Sequence, residues 1–537
     1  VAAGGIAFDY ARLATLDTEM QNAADQAALA AATQLDQQAG AVARATAAAM
    51  GLLANQTLMA NDNNAANFAI NTTAVVFYAT KADAEAANGA NCPTANAVTA
   101  DATAKFVCVR TMDRVARYAL TPIAEAFSSG NVSAMAVAGL GSAICKVPPV
   151  MLCNPDEPIG NTNGNLDFNV SGRIGAGMRL ITVGNGPSAW APGNFGYLDV
   201  NSSTSNPNVE LREALGWVTA PGDCSGLSGV ETRTGAGTPV TQALNTRFDI
   251  YEKANTGNGN AASCPAGSSC PPSINTVKDV AQKGAPTAAG KCGVANNEWE
   301  LPDTDKYYGG TLPATGSTTD LTATEAASLE TMGHPRDKCH ANSQNGSCTP
   351  LVDGLPNKIG NGAWDRNAYF RVNYGWASSD WPTHVATGSS PITTSTPTRY
   401  QVYLWEIANR GTTIGGKVIL APRVYGSGPN GETDFDAPVC SALQTPSTSG
   451  IVPGGTNVDR RRISAAVLNC RAYNVHGGSN TVYPVLKWLE LFLVEPSLQR
   501  NRTDANDVYV EIIGETQVGA NQTAGQVVRR DVPYLIK

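Results

Sequence analysis

The sequence predicts an α+β protein: a long N-terminal helix packed on a small antiparallel sheet, followed by a large β-rich region stapled by disulfides. Three observations carry this. The first 56 residues contain no Pro and are dominated by Ala, with Leu, Met, Gln, Glu and Arg, all strong helix formers. Short β-branched and aromatic runs recur from Phe68 onward, separated by turns rich in Gly, Pro, Asn, Ser and Thr. Twelve Cys, mostly in close pairs, fall within those turns.

In the first 56 residues Ile6, Tyr10, Leu13, Leu16, Met20, Ala23, Ala27, Ala31 and Leu35 recur at spacings of three and four. That places them on one stripe of one helix. Asp9, Arg12, Asp17, Glu19, Asn22 and Asp25 fall largely off it. Unbroken, the helix would be roughly 80 Å long. Gly40 and Gly51 are the positions where it is expected to bend or stop. Residues Val1 to Phe8 are apolar or small, and charge starts at Asp9. Beyond Met20 the stripe is mostly Ala, and small residues let another backbone come close. The stripe is therefore expected to be an assembly surface.

Residues 57–153 read as a small antiparallel sheet packing on that helix. Its strands are expected in Phe68–Thr80, Lys105–Thr121 and Val132–Leu140, with a helical turn at Pro122–Phe127. Residues 154–362 read as a loop-rich β region with disulfides. There Met178–Val183 is a strand, Glu210–Trp217 a short helix and Thr246–Tyr251 a strand end. Residues 363–537 read as a sandwich-like or α+β domain with strands at Tyr369–Tyr374, Tyr400–Ile407, Thr413–Tyr425, Ile463–Asn469, Val485–Val494 and Asp507–Ile513. No repeat of fixed period is present, which argues against a solenoid.

An even number of Cys in loop sequence points to disulfides and to an oxidising, extracellular compartment. The expected pairs are Cys92–Cys108, Cys145–Cys153, Cys264–Cys270 and Cys339–Cys348, followed by Cys224–Cys292 and Cys440–Cys470. His334, Cys339, His340 and Cys348 offer nitrogen and sulfur donors but lack the C-x-x-C spacing of a structural zinc site.

Charged residues make up 15% of the chain, with a net charge of −8 and a pI near 5.2. Nucleic acid binding and a polybasic membrane patch both need clustered Lys and Arg, so both are disfavoured. No apolar run reaches the roughly 20 residues needed to cross a bilayer. Membrane attachment is thus expected only through an apolar segment ahead of Val1. The chain has no G-x-S-x-G, no P-loop and no H-E-x-x-H, and its four His are scattered. These absences favour a protein that is not an enzyme.

Three groups remain as ligand candidates. Asn161, Asn163, Asn165 and Asp167 alternate oxygen donors around Gly164, as calcium loops do, but without a closing bidentate Glu; an Asx-rich turn after Pro158 is the favoured reading. Asp504, Asn506 and Asp507 form a second, shorter acidic group. Trp364, Tyr369, Tyr374, Trp376 and Trp381 lie close together and would stack on sugar rings if exposed, or fill a core if not. Arg460, Arg461 and Arg462 read as the start of a strand flanked by carboxylate partners.

The stretch GGIAFDYARLATLDTEMQNAADQAALAAA resembles the N-terminal signature of the TadE/TadG-like proteins of the Tad (Flp) pilus-assembly systems. Asp9, Tyr10, Arg12, Met20, Gln21, Asn22, Ala23, Ala24, Asp25, Ala27, Ala28, Leu29 and Ala30 carry the match, over about the first tenth of the chain. CKVPPVMLCNPDEP, PGNFGYLDV, NTRFDIYEK and RRRISAAVLNC resemble TadG-type members more loosely. The resemblance implies a pilin-like packing of helix on sheet. It also implies a non-enzymatic component of a surface appendage, assembling with copies of itself or with other pilus components. Gly5 departs from type IV pilins, which usually carry a Glu there. A secreted or surface adhesin for glycans or calcium is the alternative expectation.

Overall fold

The computed structural model describes most of the chain. The larger stretches outside the described residues are 61–71, 119–128, 252–263, 283–298, 301–322, 422–437, 441–449 and 517–527, with shorter ones between them. The helical turn expected at Pro122–Phe127 lies outside. The described residues are of mixed α+β class and form two compact units. The first holds residues 1–143 and 530–537, the second residues 144–529. The boundary thus falls ten residues ahead of Cys153, and the end of the chain returns to the first unit.

In the first unit the N-terminal stretch is two helices, α1 (Ala2–Ala32) and α2 (Ala41–Leu52). The break falls at Gly40, whose φ of +80° suits glycine. The Asp101 carboxylate accepts from the Gly40 and Val42 N–H groups at 2.8 and 2.9 Å, capping the start of α2. Those two N–H groups lower the Asp101 pKa.

The sheet contains β1 (Thr72–Tyr78), β2 (Phe106–Thr111) and β5 (Met135–Cys145), with a small hairpin of β3 (Arg114–Arg117) and β4 (Ser129–Val132). The C-terminal strand Val528–Leu535 pairs with β5 and completes the order β1–β2–β5–C-terminal strand. Alternation decides the two faces. Phe77, Val107, Val109, Ala136 and Ala138 pack with Leu16, Met20, Ala23, Ala27 and Ala31 of α1. Tyr78, Cys108 and Val137 cluster with Cys92 in a second group, with Ile536 against it. Ala45 and Ala49 of α2 join the α1 alanines in the same core, the close approach that small residues allow.

The second unit is built on a closed six-stranded barrel. Its strands are β6 (Val150–Cys153), β7 (Gly177–Thr182), β8 (Asn194–Tyr197), β9 (Arg462–Leu468), β10 (Lys487–Leu493) and β11 (Val508–Glu515). The order β9–β10–β11–β7–β8–β6 returns to β9 through a parallel pairing of Leu468 with Cys153. Ile463, Ala465 and Val467 of β9 join Val150, Leu152, Met178, Leu180, Leu489, Leu491 and Val510 in one core. Their neighbours Ala466 and Leu468 join Met151, Cys153, Trp190 and Cys470 in another. The strands are therefore covered on both faces, which explains their near-continuous apolar sequence.

Four helices complete the elements needed below: α3 (Pro207–Gly216), α4 (Thr238–Asn245), α5 (Arg366–Tyr374) and α6 (Arg399–Ala408). Two of these correct the sequence reading, since Tyr369–Tyr374 and Tyr400–Ile407 are helical and not strands. Asp365 caps α5 through the Ala368 N–H, and Thr398 with Gln401 forms a capping box on α6. The aromatic content suggested strands, but caps and apolar spacing of three and four prevailed. Thr246–Phe248 is a 3₁₀ turn after α4, not a strand end. Of the strand expected at Thr413–Tyr425, residues 422–425 lie outside the described residues, and the rest contains the short strands Thr413–Ile414 and Lys417–Val418.

Disulfides join Cys92–Cys108, Cys264–Cys270 and Cys339–Cys348, as expected from their closeness in sequence. Cys153 bonds to Cys470, which corrects both the Cys145–Cys153 and the Cys440–Cys470 pairings. The reason is topological: parallel pairing of β6 with β9 brings these two together. Cys440 is also disulfide-bonded. The backbone of Cys145 pairs in register with that of Cys224, whereas the Cys224 and Cys292 side chains lie outside the described residues.

Candidate functional site

The stripe on α1 divides in two. Leu16, Met20, Ala23, Ala27, Ala31 and Leu35 are buried in the core that the helix forms with its own sheet, and Leu13 is partly buried there. These residues are not a surface for another molecule, which corrects the expectation that the whole stripe serves assembly. The cause is the inner face of the sheet, where Val107 and Val109 of β2 and Ala136 and Ala138 of β5 join the helix in one core. Ahead of Leu13 the pattern reverses. Ile6, Phe8 and Tyr10 are 45%, 57% and 71% exposed. Ile6 and Tyr10 lie one turn apart, and Phe8 lies on a different side of the helix. Sequence reasoning missed Phe8, which is off the stripe. Asp9 is buried, so the exposed apolar end has one covered polar side.

This end is anchored by polar contacts further along the helix. Arg12 Nε donates to the Met59 carbonyl at 3.0 Å, and the Met59 N–H donates to Glu19 at 3.3 Å. Gln21 Nε2 donates to the Met135 carbonyl at 3.3 Å and to Asp25 at 2.7 Å. Among the described residues no helix is long and apolar enough to cross a membrane.

The aromatic group is core. Trp364, Tyr369, Tyr374, Trp376 and Trp381 are all buried, and Phe370 stacks on Trp381 at 4.7 Å between centroids. They present no face to a sugar. Asn161 and Asn163 turn their side-chain oxygens to the Asn163 and Asn165 N–H groups, each at 3.0 Å. The Asn161 amide donates to Glu157 at 2.8 Å, and Asp167 pairs with Lys487 at 2.6 Å. The side chains of Asn161, Asn163 and Asp167 are thus engaged in Asx turns and an ion pair. Asp504 and Asn506 lie outside the described residues, and Asp507 pairs with Arg179.

Cys339, His340 and Cys348 place their sulfurs and a ring nitrogen within 4.8 Å of one another. The two sulfurs are joined as a disulfide, and a disulfide supplies no thiolate to a metal. His340 Nε2 contacts the Lys358 carbonyl at 3.1 Å.

The strongest concentration of charge is inside the second unit. Arg460 donates to the Gly216, Trp217 and Pro271 carbonyls, and Arg247 to the Leu215 carbonyl. The two guanidiniums thereby cap the C-terminus of α3, where a cation is favoured. Arg461 pairs with Asp279 at 2.8 Å and Arg462 with Glu490 at 3.0 Å. The arginine run is therefore structural, with carboxylate partners at two of its three members.

Lys278 contacts Glu406 and Tyr369, and the Tyr369 and Tyr374 hydroxyls donate to Glu406 at 2.8 and 2.7 Å. Burial lowers the Lys278 pKa, while Glu406 acts in the opposite direction. His334 stacks on Tyr369 at 5.0 Å, and neither of its ring nitrogens has a hydrogen-bond partner among the described residues. Lys278, Glu406, Tyr369 and His334 are all within 2% of full burial, so they have no substrate-facing surface. The sequence offered no signal for this group, because its members are spread over 128 positions between Lys278 and Glu406.

Comparison with family models, with curated proteins and with solved structures finds no match for this chain.

Proposed function

We propose that the protein is a non-enzymatic structural component of a bacterial surface appendage of the Tad (Flp) type, assembling through the start of α1. The observation that carries this reading is the exposed apolar end formed by Ile6, Phe8 and Tyr10, on a helix that is firmly held from Leu16 onward. An anchored helix that projects an apolar end offers a ready surface to an apolar helix of a second copy or of another appendage subunit. The resemblance of residues 4–32 to the TadE/TadG-like signature supports the same reading. Helix packing on a sheet is also the plan of pilin-like heads. Four disulfides among the described residues suit a head that works outside the cell.

The test is a photo-crosslinkable residue placed at Tyr10 in the full chain, expressed in cells that build the appendage. The expected product is an adduct with another copy or with a second appendage subunit, in the surface fraction. Adducts confined to the same chain, or protein retained inside the cell, would overturn the proposal.

A further inference from the structure

We propose that Lys358 and Asn194 form an intramolecular isopeptide cross-link, a covalent bond between side chains that staples the segment around Ile359 to the barrel. The two side chains are in direct contact, Lys358 Nζ on Asn194 Oδ1. They come from separate parts of the chain, 164 positions apart. Asn194 opens β8, paired in register with Ile181 of β7. Lys358 lies along the other end of β7, where Ile359 bridges to Met178.

The surroundings hold both partners in place. The Lys358 carbonyl accepts from the Arg179 N–H at 2.9 Å and contacts His340 Nε2 at 3.1 Å. The Gly360 N–H donates to the Gly177 carbonyl at 2.7 Å. On the other side, the Gly193 N–H donates to the Cys153 carbonyl at 2.8 Å and the Asn194 N–H to the Ala191 carbonyl at 3.0 Å. The lysine stem crosses Gly193: a Cβ there would lie 2.9 Å from Lys358 Cδ. Gly193 also has a φ of +73°, so glycine satisfies both the backbone and the space for the stem. Groups fixed this way react with effective concentrations far above those of free partners.

The chemistry is self-contained. Lys358 Nζ, as the free amine, adds to Asn194 Cγ. The Cγ–Nδ2 bond breaks, and the amide nitrogen leaves as ammonia with the proton that Nζ gives up. One C–N bond replaces another, with no oxidant, reductant or cofactor. Burial and the Arg179 guanidinium bring the Lys358 pKa down to about 8, which raises the share of free amine. Asp507 acts electrostatically on Lys358 in the opposite sense. Its carboxylate is held by Arg179 Nε and Nη2, which donate to it at 3.0 and 2.6 Å.

The experiment is intact-mass measurement of the full wild-type chain after reduction and alkylation, followed by tryptic mapping. The expected result is a chain lighter by one ammonia, no cleavage after Lys358, and a branched peptide containing both Lys358 and Asn194. Asn194→Ala should restore the unmodified mass at this site and cleavage after Lys358. An unmodified wild-type mass with ordinary cleavage after Lys358 would overturn the proposal. So would loss of ammonia traced to a cyclic imide at Asn194 without a branched peptide. The wild-type measurement decides the matter even if the variant fails to fold.

Discussion

Cys153 and Cys470 are bonded to each other across 317 positions of the chain. Cys153 ends β6 and pairs in register with Leu468 of β9 at the parallel seam that closes the barrel. A parallel seam between segments this far apart is costly to assemble, because the intervening chain must be brought together first. The bond holds the seam shut once it has formed.

Replacing both with Ser (Cys153→Ser, Cys470→Ser) should therefore cost about 2–5 kcal/mol. Guanidinium unfolding of wild type and variant, each under oxidising conditions, measures it. A loss confined to a few tenths would show that the seam is held by its hydrogen bonds and apolar contacts alone.

Arg399 sits between two carboxylates. It pairs with Asp337 and, at 2.9 Å, with Glu511. Glu511 also accepts the N–H groups of Arg399 and Tyr400 at 2.8 and 2.9 Å, at the start of α6. Arg399→Met leaves two buried carboxylates facing each other without their cation. The expected loss is about 3–5 kcal/mol, measured by denaturant unfolding. Replacing Arg44, which pairs with Asp36 on the exposed surface, should shift stability by less than about 1 kcal/mol.

His334 and His340 make the second unit sensitive to acid. Burial, together with Lys278, Arg461 and Arg399, holds the His334 pKa well below its ordinary value. Burial is also the main reason that the His340 pKa falls to about 4, with Asp337 opposing the shift. Unfolded, each ring takes its proton near pH 6.5, about the ordinary histidine value. Their contribution is thus complete above that pH and is lost as pH falls toward about 4. Glu511 and Asp279, whose pKa values burial raises, pull in the opposite sense. His334→Phe isolates one ring. It should flatten the fall in unfolding free energy between pH 6.5 and 5 by up to about 1.4 kcal/mol per pH unit. An unchanged slope would show that His334 takes up its proton over the same pH range in the fold as in the unfolded chain.

The two halves of α1 should respond differently to substitution. Met20→Ala removes a buried side chain from the helix–sheet core and should cost about 2–5 kcal/mol. Ile6→Ser with Phe8→Ser alters only exposed positions, and melting should shift by no more than a few degrees. Their effect on capture of a neighbouring subunit should be large. Differential scanning calorimetry alongside the crosslinking experiment separates the roles.

The parts legible in the sequence were those set by short-range pattern. The Leu16 to Leu35 stripe, the strands at Phe106 and Ile463, and disulfides spanning 6, 9 and 16 positions all follow from local spacing. The barrel was not legible, because its closure depends on β6 meeting β9 and β7 meeting β11 from distant parts of the chain. The α5 and α6 helices were hidden by their aromatics, Tyr369, Phe370, Tyr403 and Trp405, whose strand preference is overridden by capping and burial. Where the α1 stripe stops being core was equally hidden. A stripe shows which face is apolar, not how far along it the covering sheet extends.

Because Val528–Leu535 completes the sheet on which α1 lies, the first unit to leave the ribosome is the last to be finished. Its edge on β5 stays open while the whole second unit is synthesised, an interval that favours a holding chaperone or delayed folding. A nascent chain cut short before that strand would leave the β5 edge unpaired, a ready template for pairing with another chain.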